Sequence, residues 1–344
     1  MKAHSLYALG FFTALVLSAC ERAQKGAPSE GRKIVRVDGS STVYPVTEAV
    51  AEEFKKAGAA AKAGLAYPVE VTVGISGTGG GFKKFCRGEI DVQDASRPIL
   101  AKEMEDCRAV GVAYVELPVA FDALTVVVSA SNAALSEITI GELKQIWAPE
   151  AQGKVLKWKQ VRDAWPDAPL KLYGAGADSG TFDYFTEAVT GKAKSSRSDF
   201  TASEDDNVLV QGIANDRNAL GFLPYAYYEH NQSKLKALKV NGVAPSPESV
   251  ENGRYAPLSR PIFLYVSVAA AAKPEVKAFI DFYLANVAKL ARQIGYVALP
   301  ERAYSLAASH FASLRSGTVF GGVPEVGLKI EELLKREARL EAKK

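Results

Sequence analysis

Histidine is nearly missing from this 344-residue chain: His4, His230 and His310 are too few for a His-rich metal centre. Cysteine is equally scarce, and three residues cannot form the dense disulfide framework of a small secreted domain. An excess of one charge is missing too, since 42 Lys and Arg face 39 Asp and Glu for a net +3. Without a basic block, that balance excludes the usual electrostatic footprint of a nucleic-acid binder. The N-terminal apolar run, Leu6 to Leu17, has 12 residues, whereas a membrane-spanning helix needs about 20. Internal repeats and low-complexity tracts are absent. What remains is ordinary globular material, 48% hydrophobic and 24% charged. At roughly 150 residues per domain it makes two domains or one large one.

The N-terminus addresses the chain. Lys2 precedes the apolar run, which has the length of a secretory h-region. The run closes on Leu17-Ser18-Ala19-Cys20, a pattern that resembles a bacterial lipobox. Residues 1–19 are therefore expected to be a cleaved lipoprotein signal peptide, with Cys20 carrying the lipid anchor. Residues 20–32, small and polar, read as a flexible tether. In the oxidising space outside the membrane the remaining Cys86 and Cys107 are expected to pair.

Apolar periodicity then alternates between strand and helix, the signature of an α/β fold. Strands are expected at 33–37, 69–73, 90–95, 112–117, 170–173, 219–224 and 262–269, with 118–128 also extended. Helices are expected at 43–56, 82–87, 104–110, 139–147, 182–189, from 205, at 274–290 and over the charged 329–344. Residues 241–261 read as a loop. Asp205-Asp206-Asn207 resembles part of a calcium loop but lacks its glycine and closing glutamate, so it reads as helix-start carboxylates.

One device recurs three times. Gly39-Ser40-Ser41-Thr42, Ser76-Gly77-Thr78-Gly79-Gly80 and Asp178-Ser179-Gly180-Thr181 each follow a strand and open a helix. Such turns aim hydroxyls and free N–H groups at the positive end of the helix dipole, which favours an oxyanion. N-capping alone would explain any single turn. Three together indicate one site with many neutral donors. The Walker, G-x-G-x-x-G and G-x-S-x-G patterns are absent. Without a nucleophile–base pair or metal cluster, a phosphate-ester hydrolase is disfavoured, and no cofactor is expected.

Taken in order, DGSSTVYPV, SGTGGGFKKFCRGEIDVQDASRPI, ADSGTFDYF and ASEDDNVLVQGI resemble the phosphate-binding protein of the high-affinity phosphate ABC transporter. The resemblance runs from about Lys33 to about Leu299. It implies a two-lobed, type II periplasmic-binding-protein fold with hinge strands. It further implies phosphate held between the lobes, a permease as partner, and a membrane-tethered, monomeric binding unit. Lobe one is expected at 33–120 plus 262–328 and lobe two at 121–261, with hinge strands near Phe121 and Ile262. By position, Ser41, Thr42, Thr78, Gly79, Ser179, Gly180 and Thr181 fall on the family's ligand positions, with Ser40, Ser76 and Ser96 as further candidates.

The sequence departs from the best-known version of this family at two points. An Asp that accepts the ligand's proton is replaced by Arg97, and an Arg four residues before Ser-Gly-Thr by Ala175. The expectation is an exchange across the cleft: Arg97 supplies the guanidinium and Asp178 the proton acceptor that rejects sulfate. The alternatives are another tetrahedral oxyanion (sulfate, molybdate, arsenate or a phosphonate), or an adhesin or sensor on the same fold.

Overall fold

The computed structural model describes residues 32–323 and 325–342. The expected signal peptide, Cys20 and nearly all of the tether lie outside the described residues. Among the described residues no helix is long and apolar enough to cross a membrane.

The strands are β1 (Lys33–Gly39), β2 (Val69–Val73), β3 (Val92–Ala95), β4 (Tyr114–Ser129), β5 (Glu137–Ile138), β6 (Lys171–Ala175), β7 (Thr201–Ser203), β8 (Ala219–Pro224), β9 (Leu235–Ala237), β10 (Lys239–Val240) and β11 (Ser259–Ser267). The main sheet runs β2-β1-β3-β11-β4-β8-β6-β7, with β9 also on β4 and β10-β5 a separate pair. β1 pairs in parallel with β2 and β3, and β6 with β7 and β8. β11 lies antiparallel between β3 and β4.

Two strands tie the halves of this sheet together. All 16 residues of β4 are buried, as a strand covered on both faces requires. Its N-terminal part pairs with β11 and its C-terminal part with β8 and β9. The expected strand at 112–117 and extended run at 118–128 are thus one element. The β11–β4 register shifts between Ile262 and Phe263, opposite Ala120 and Pro118, and such a shift bends and twists a strand pair locally.

Helices cover both halves. On the first, Phe54 of Tyr44–Lys56 packs edge-on against Phe279 of Pro274–Gln293, centroids 5.6 Å apart. On the second, Phe185 stacks on Phe222 at 3.8 Å beneath Trp147. The capping box expected at Thr139 and Glu142 is present. Cys86 and Cys107 form a disulfide that joins helix Thr78–Cys86 to helix Ala101–Ala109.

Three sequence readings change. Residues 241–261 hold a short helix, Pro247–Glu251, and the first residues of β11. Helix Thr78–Cys86 starts four residues before the expected Phe82, because its glycine-rich first turn has no apolar periodicity to reveal it. Helix Glu301–Ala312 was not anticipated. It buries His310 against Glu337 (3.3 Å) and Glu341 (3.1 Å) of the C-terminal helix Ile330–Ala342.

Candidate functional site

The three hydroxyl turns meet. Thr42, from the turn after β1, lies 2.9 Å from Thr181, the two linked hydroxyl to hydroxyl. Thr78, opening the helix after β2, is 3.1 Å from Ser96 at the end of β3 and accepts the Ser96 N–H at 3.2 Å. Gly180 closes the gap between the pairs. A Cβ there would stand 2.5 Å from both the Ser96 and Thr78 hydroxyls, so only glycine fits without displacement. The second and third turns also touch through backbone, since Gly79 N–H donates to the Asp178 carbonyl at 2.8 Å. Gly77 supplies the approach, with φ of +74° and the Asp178 carbonyl oxygen 2.6 Å from where a Cβ would lie.

Local capping orders each turn. The Ser40 hydroxyl accepts the Thr42 N–H at 3.1 Å. Ser179 is the N-cap of helix Gly180–Thr190 and accepts the Thr181 N–H at 3.1 Å. The Ser41 carbonyl accepts the Tyr227 hydroxyl at 2.9 Å, and the Thr42 carbonyl accepts that of Tyr296.

At the centre stands Arg260 of β11, which the sequence reading missed. It is buried, donates to the Thr42 hydroxyl at 3.0 Å, the Thr181 hydroxyl at 2.8 Å and the Gly180 carbonyl at 3.0 Å, and pairs with buried Asp122 of β4 at 3.1 Å. A signal was present: Asp122 and Arg260 are opposite charges set into apolar strands, and buried charges need partners.

Two expected ligands do not join this cluster. The Asp178 carboxylate turns outward to Lys83 at 2.8 Å, with 43% of its side chain exposed. Arg97 is buried but committed to Asp183 at 2.7 Å and to Glu103 at 2.8 Å. Each of these two groups is thus engaged by a protein partner of opposite charge, although both line one cavity with Gly79. Ser76 is likewise held elsewhere, its hydroxyl donating to Asp38 at 2.7 Å.

The acids around Arg260 are perturbed. Burial raises the Asp122 carboxyl above its usual range, with Arg260 opposing the rise. Burial also pushes Asp206 up to about 7, against a hydrogen bond from Ser41 and the charge of Arg260. Asp206 is the second of the expected helix-start carboxylates; Asp205 is the N-cap, accepting the Asn207 N–H at 2.9 Å. Beside the cluster a cavity of about 550 Å³ is lined by five cations (Lys83, Arg87, Arg97, Lys102, Lys194) and three acids (Glu103, Asp106, Asp178). Each of these cations is paired with a carboxylate: Lys83 with Asp178, Arg87 with Glu89, Arg97 with Glu103 and Asp183, Lys102 with Asp106, and Lys194 with Asp183.

Hydroxyl turns from both halves of a sheet, joined by two crossing strands, describe a cleft binder, and residues 24–287 match the PBP superfamily domain. The chain belongs to that superfamily. Among its relatives is Protein SphX of Synechococcus elongatus, 53% identical over 314 residues and 90% of each chain. The phosphate-binding protein PstS of Staphylococcus saprophyticus is 35% identical over 85% of this chain and 88% of its own. Among solved structures, a possible phosphate binding protein from Planctomyces limnophilus matches at 47% identity and TM-score 0.59, over 82% of this chain and 98% of that one. A Clostridium perfringens protein described as a phosphate ABC transporter substrate-binding protein, with phosphate bound, matches at 26% identity and TM-score 0.66, over 78% and 100%. The two-lobed architecture of this PBP-superfamily chain agrees with the fold that the resemblance implies.

Proposed function

We propose that the chain binds inorganic phosphate in the cleft between its two lobes and delivers it to an ABC permease for import. The observation that carries this reading is the Thr42–Thr181–Arg260 contact, which joins hydroxyls from the two halves of the sheet around one buried guanidinium. The names of the relatives and the phosphate-bound structure support the choice of anion.

In this reading Ser41, Thr42, Thr78, Ser179 and Thr181 contribute hydroxyls and Gly180 contributes backbone at a helix start, while Gly79, whose N–H is held by the Asp178 carbonyl, lines the site, and Ser40 and Ser96 support the turns. Arg260 adds a cation already balanced by Asp122, so the site keeps little net charge. Neutral donors and helix ends can then surround a desolvated dianion without a strong counter-charge to slow its release. No bond is made or broken. Lobe one is 33–120 plus 262–328, lobe two 121–261, and the lobes close by bending at β4 and β11. The protein is exported, anchored by lipid on Cys20, and acts as a monomer.

Calorimetric titration of ligand-stripped residues 21–344 with phosphate and with sulfate tests the proposal. Tight phosphate binding with no sulfate heat is expected. Preference for sulfate would move the assignment to another oxyanion. Silence with both anions from a folded protein would reject the transport reading in favour of an adhesin or sensor.

A further inference from the structure

The ring of charge around Arg97 has no role in the reading above. Arg97 forms four hydrogen bonds: Nε to Asp183 at 2.7 Å, Nη1 to the Pro98 carbonyl at 3.1 Å and to Glu103 at 2.8 Å, and Nη2 to Glu103 at 2.8 Å. A guanidinium has five N–H donors, so one remains. Its side chain is 2% exposed, that of Asp183 4% and that of Glu103 15%. Two carboxylates cancel its charge, and an approaching dianion would meet both of them.

The partners come from different places. Glu103 is six residues from Arg97, on the same side of the cleft, and accepts the Leu100 N–H at 2.9 Å, so its own position is fixed. The Glu103 fork and the face of Phe82, 5.8 Å away, orient the guanidinium. Asp183 lies on helix Gly180–Thr190, across the cleft and two residues beyond Thr181. A pre-oriented arginine meets its distant partner at little entropic cost. The Lys83–Asp178 pair and the Gly79-to-Asp178 backbone bond cross the same line.

We infer that Arg97 clamps the closed cleft through Asp183, as a positioning residue and not an anion ligand. It lengthens the stay of whatever anion the hydroxyls select and leaves the selection to them. The link to phosphate rests on the function proposed above; the clamp itself does not.

The test compares wild type, Asp183→Asn, Arg97→Gln and the double variant, after circular dichroism has established that each is folded. Inorganic phosphate and sulfate are the probes, with affinity by calorimetry and dissociation by stopped flow. Asp183→Asn keeps the shape of the site and should weaken phosphate binding about tenfold, through faster dissociation, with the phosphate-to-sulfate ratio unchanged. Arg97→Gln should match it, and the double variant should be no weaker than either single one. Small-angle scattering of the stripped proteins should show a larger radius of gyration for Asp183→Asn than for wild type. If Arg97→Gln weakens binding further on top of Asp183→Asn, or changes the anion preference, Arg97 is a ligand and the clamp is overturned. Unchanged affinity, rate and radius in Asp183→Asn would overturn it as well. If wild type ignores phosphate while Asp183→Asn still expands, the phosphate assignment fails and the clamp stands.

Discussion

Arg97 and Arg260 are both buried guanidiniums beside the hydroxyl turns, yet they keep different company. Arg97, at the rim, is surrounded by carboxylates from Glu103 and Asp183. Arg260, on the floor, shares one carboxylate, Asp122, and spends its other donors on two threonine hydroxyls and a carbonyl. The rim arginine lies inside a motif of the resemblance, while the floor arginine lies outside every such motif, at the start of β11. Adjacency to a motif therefore says less about a charge's task than the number of opposite charges that the fold brings to it. A cation already matched by two acids fastens protein to protein. One matched by a single acid can still polarise the hydroxyls it touches.

This contrast can be broken from either side. The largest effect should come from Arg260→Ala, which leaves Asp122 buried without its partner. A loss of about 3–5 kcal/mol in stability is expected, together with loss of phosphate binding, read by urea denaturation and calorimetry. The paired change Arg260→Met with Asp122→Asn should recover much of the stability and none of the binding. Removing the rim disulfide with Cys86→Ser and Cys107→Ser should cost about 3 kcal/mol in denaturation midpoints, given the short loop that it closes. Phosphate affinity should change little if the floor alone selects the anion.

Gly180→Ala should separate stability from closure. Alanine favours a helix over glycine by roughly 0.5–1 kcal/mol, but its methyl would press on Ser96 and Thr78. Calorimetry should show affinity down at least about tenfold, consistent with an overpacking cost of roughly 1–3 kcal/mol, with no matching fall in melting temperature.

The last effect concerns pH. The Asp206 carboxyl is raised to about 7 in the folded protein, against about 3.9 for an unfolded Asp. The folded state thus holds the extra proton, and the stability it contributes is present below about pH 4 and lost as pH rises to about 7. Burial places Glu116 at about 7 as well, so it adds the same sign. Melting temperatures measured from pH 4 to pH 8 should fall less steeply in Asp206→Asn than in wild type, with a residual slope from Glu116. An unchanged slope would remove Asp206 from the account.

Much of this could be read before any coordinates. Strand-to-turn-to-helix punctuation located all three hydroxyl turns, because glycine, serine and threonine at helix starts leave a local signature. The Cys86–Cys107 pair followed from compartment and count. Contacts made at long range were not legible. Nothing local at Arg97 announces Asp183, and nothing at Asp178 announces Lys83, so both looked free to face a ligand. Arg260 was hidden differently: residues 241–261 are so rich in loop formers that the start of β11 was absorbed into the loop. Helix Glu301–Ala312 was hidden by its weak apolar stripe, with Ala303 and Ala307 serving as core positions beside Tyr304 and Phe311.

The position of β11 also bears on the order of assembly. Its residues pair with Val92–Ala95 on one side and with Tyr114–Ala123 on the other. β3 can pair early with β1 on one side, but its other side, and the first part of β4, have no strand beside them until the chain has passed through the whole second half and returned. Pairings that distant in sequence form slowly. The second half can gather its own strands early, whereas the first half waits for a segment made more than 100 residues later. Arg260 arrives on that returning segment. A nascent chain ending before Ser259 would carry every hydroxyl turn and still lack both the middle of its sheet and the cation on the cleft floor, so completing the fold and completing the site are one event.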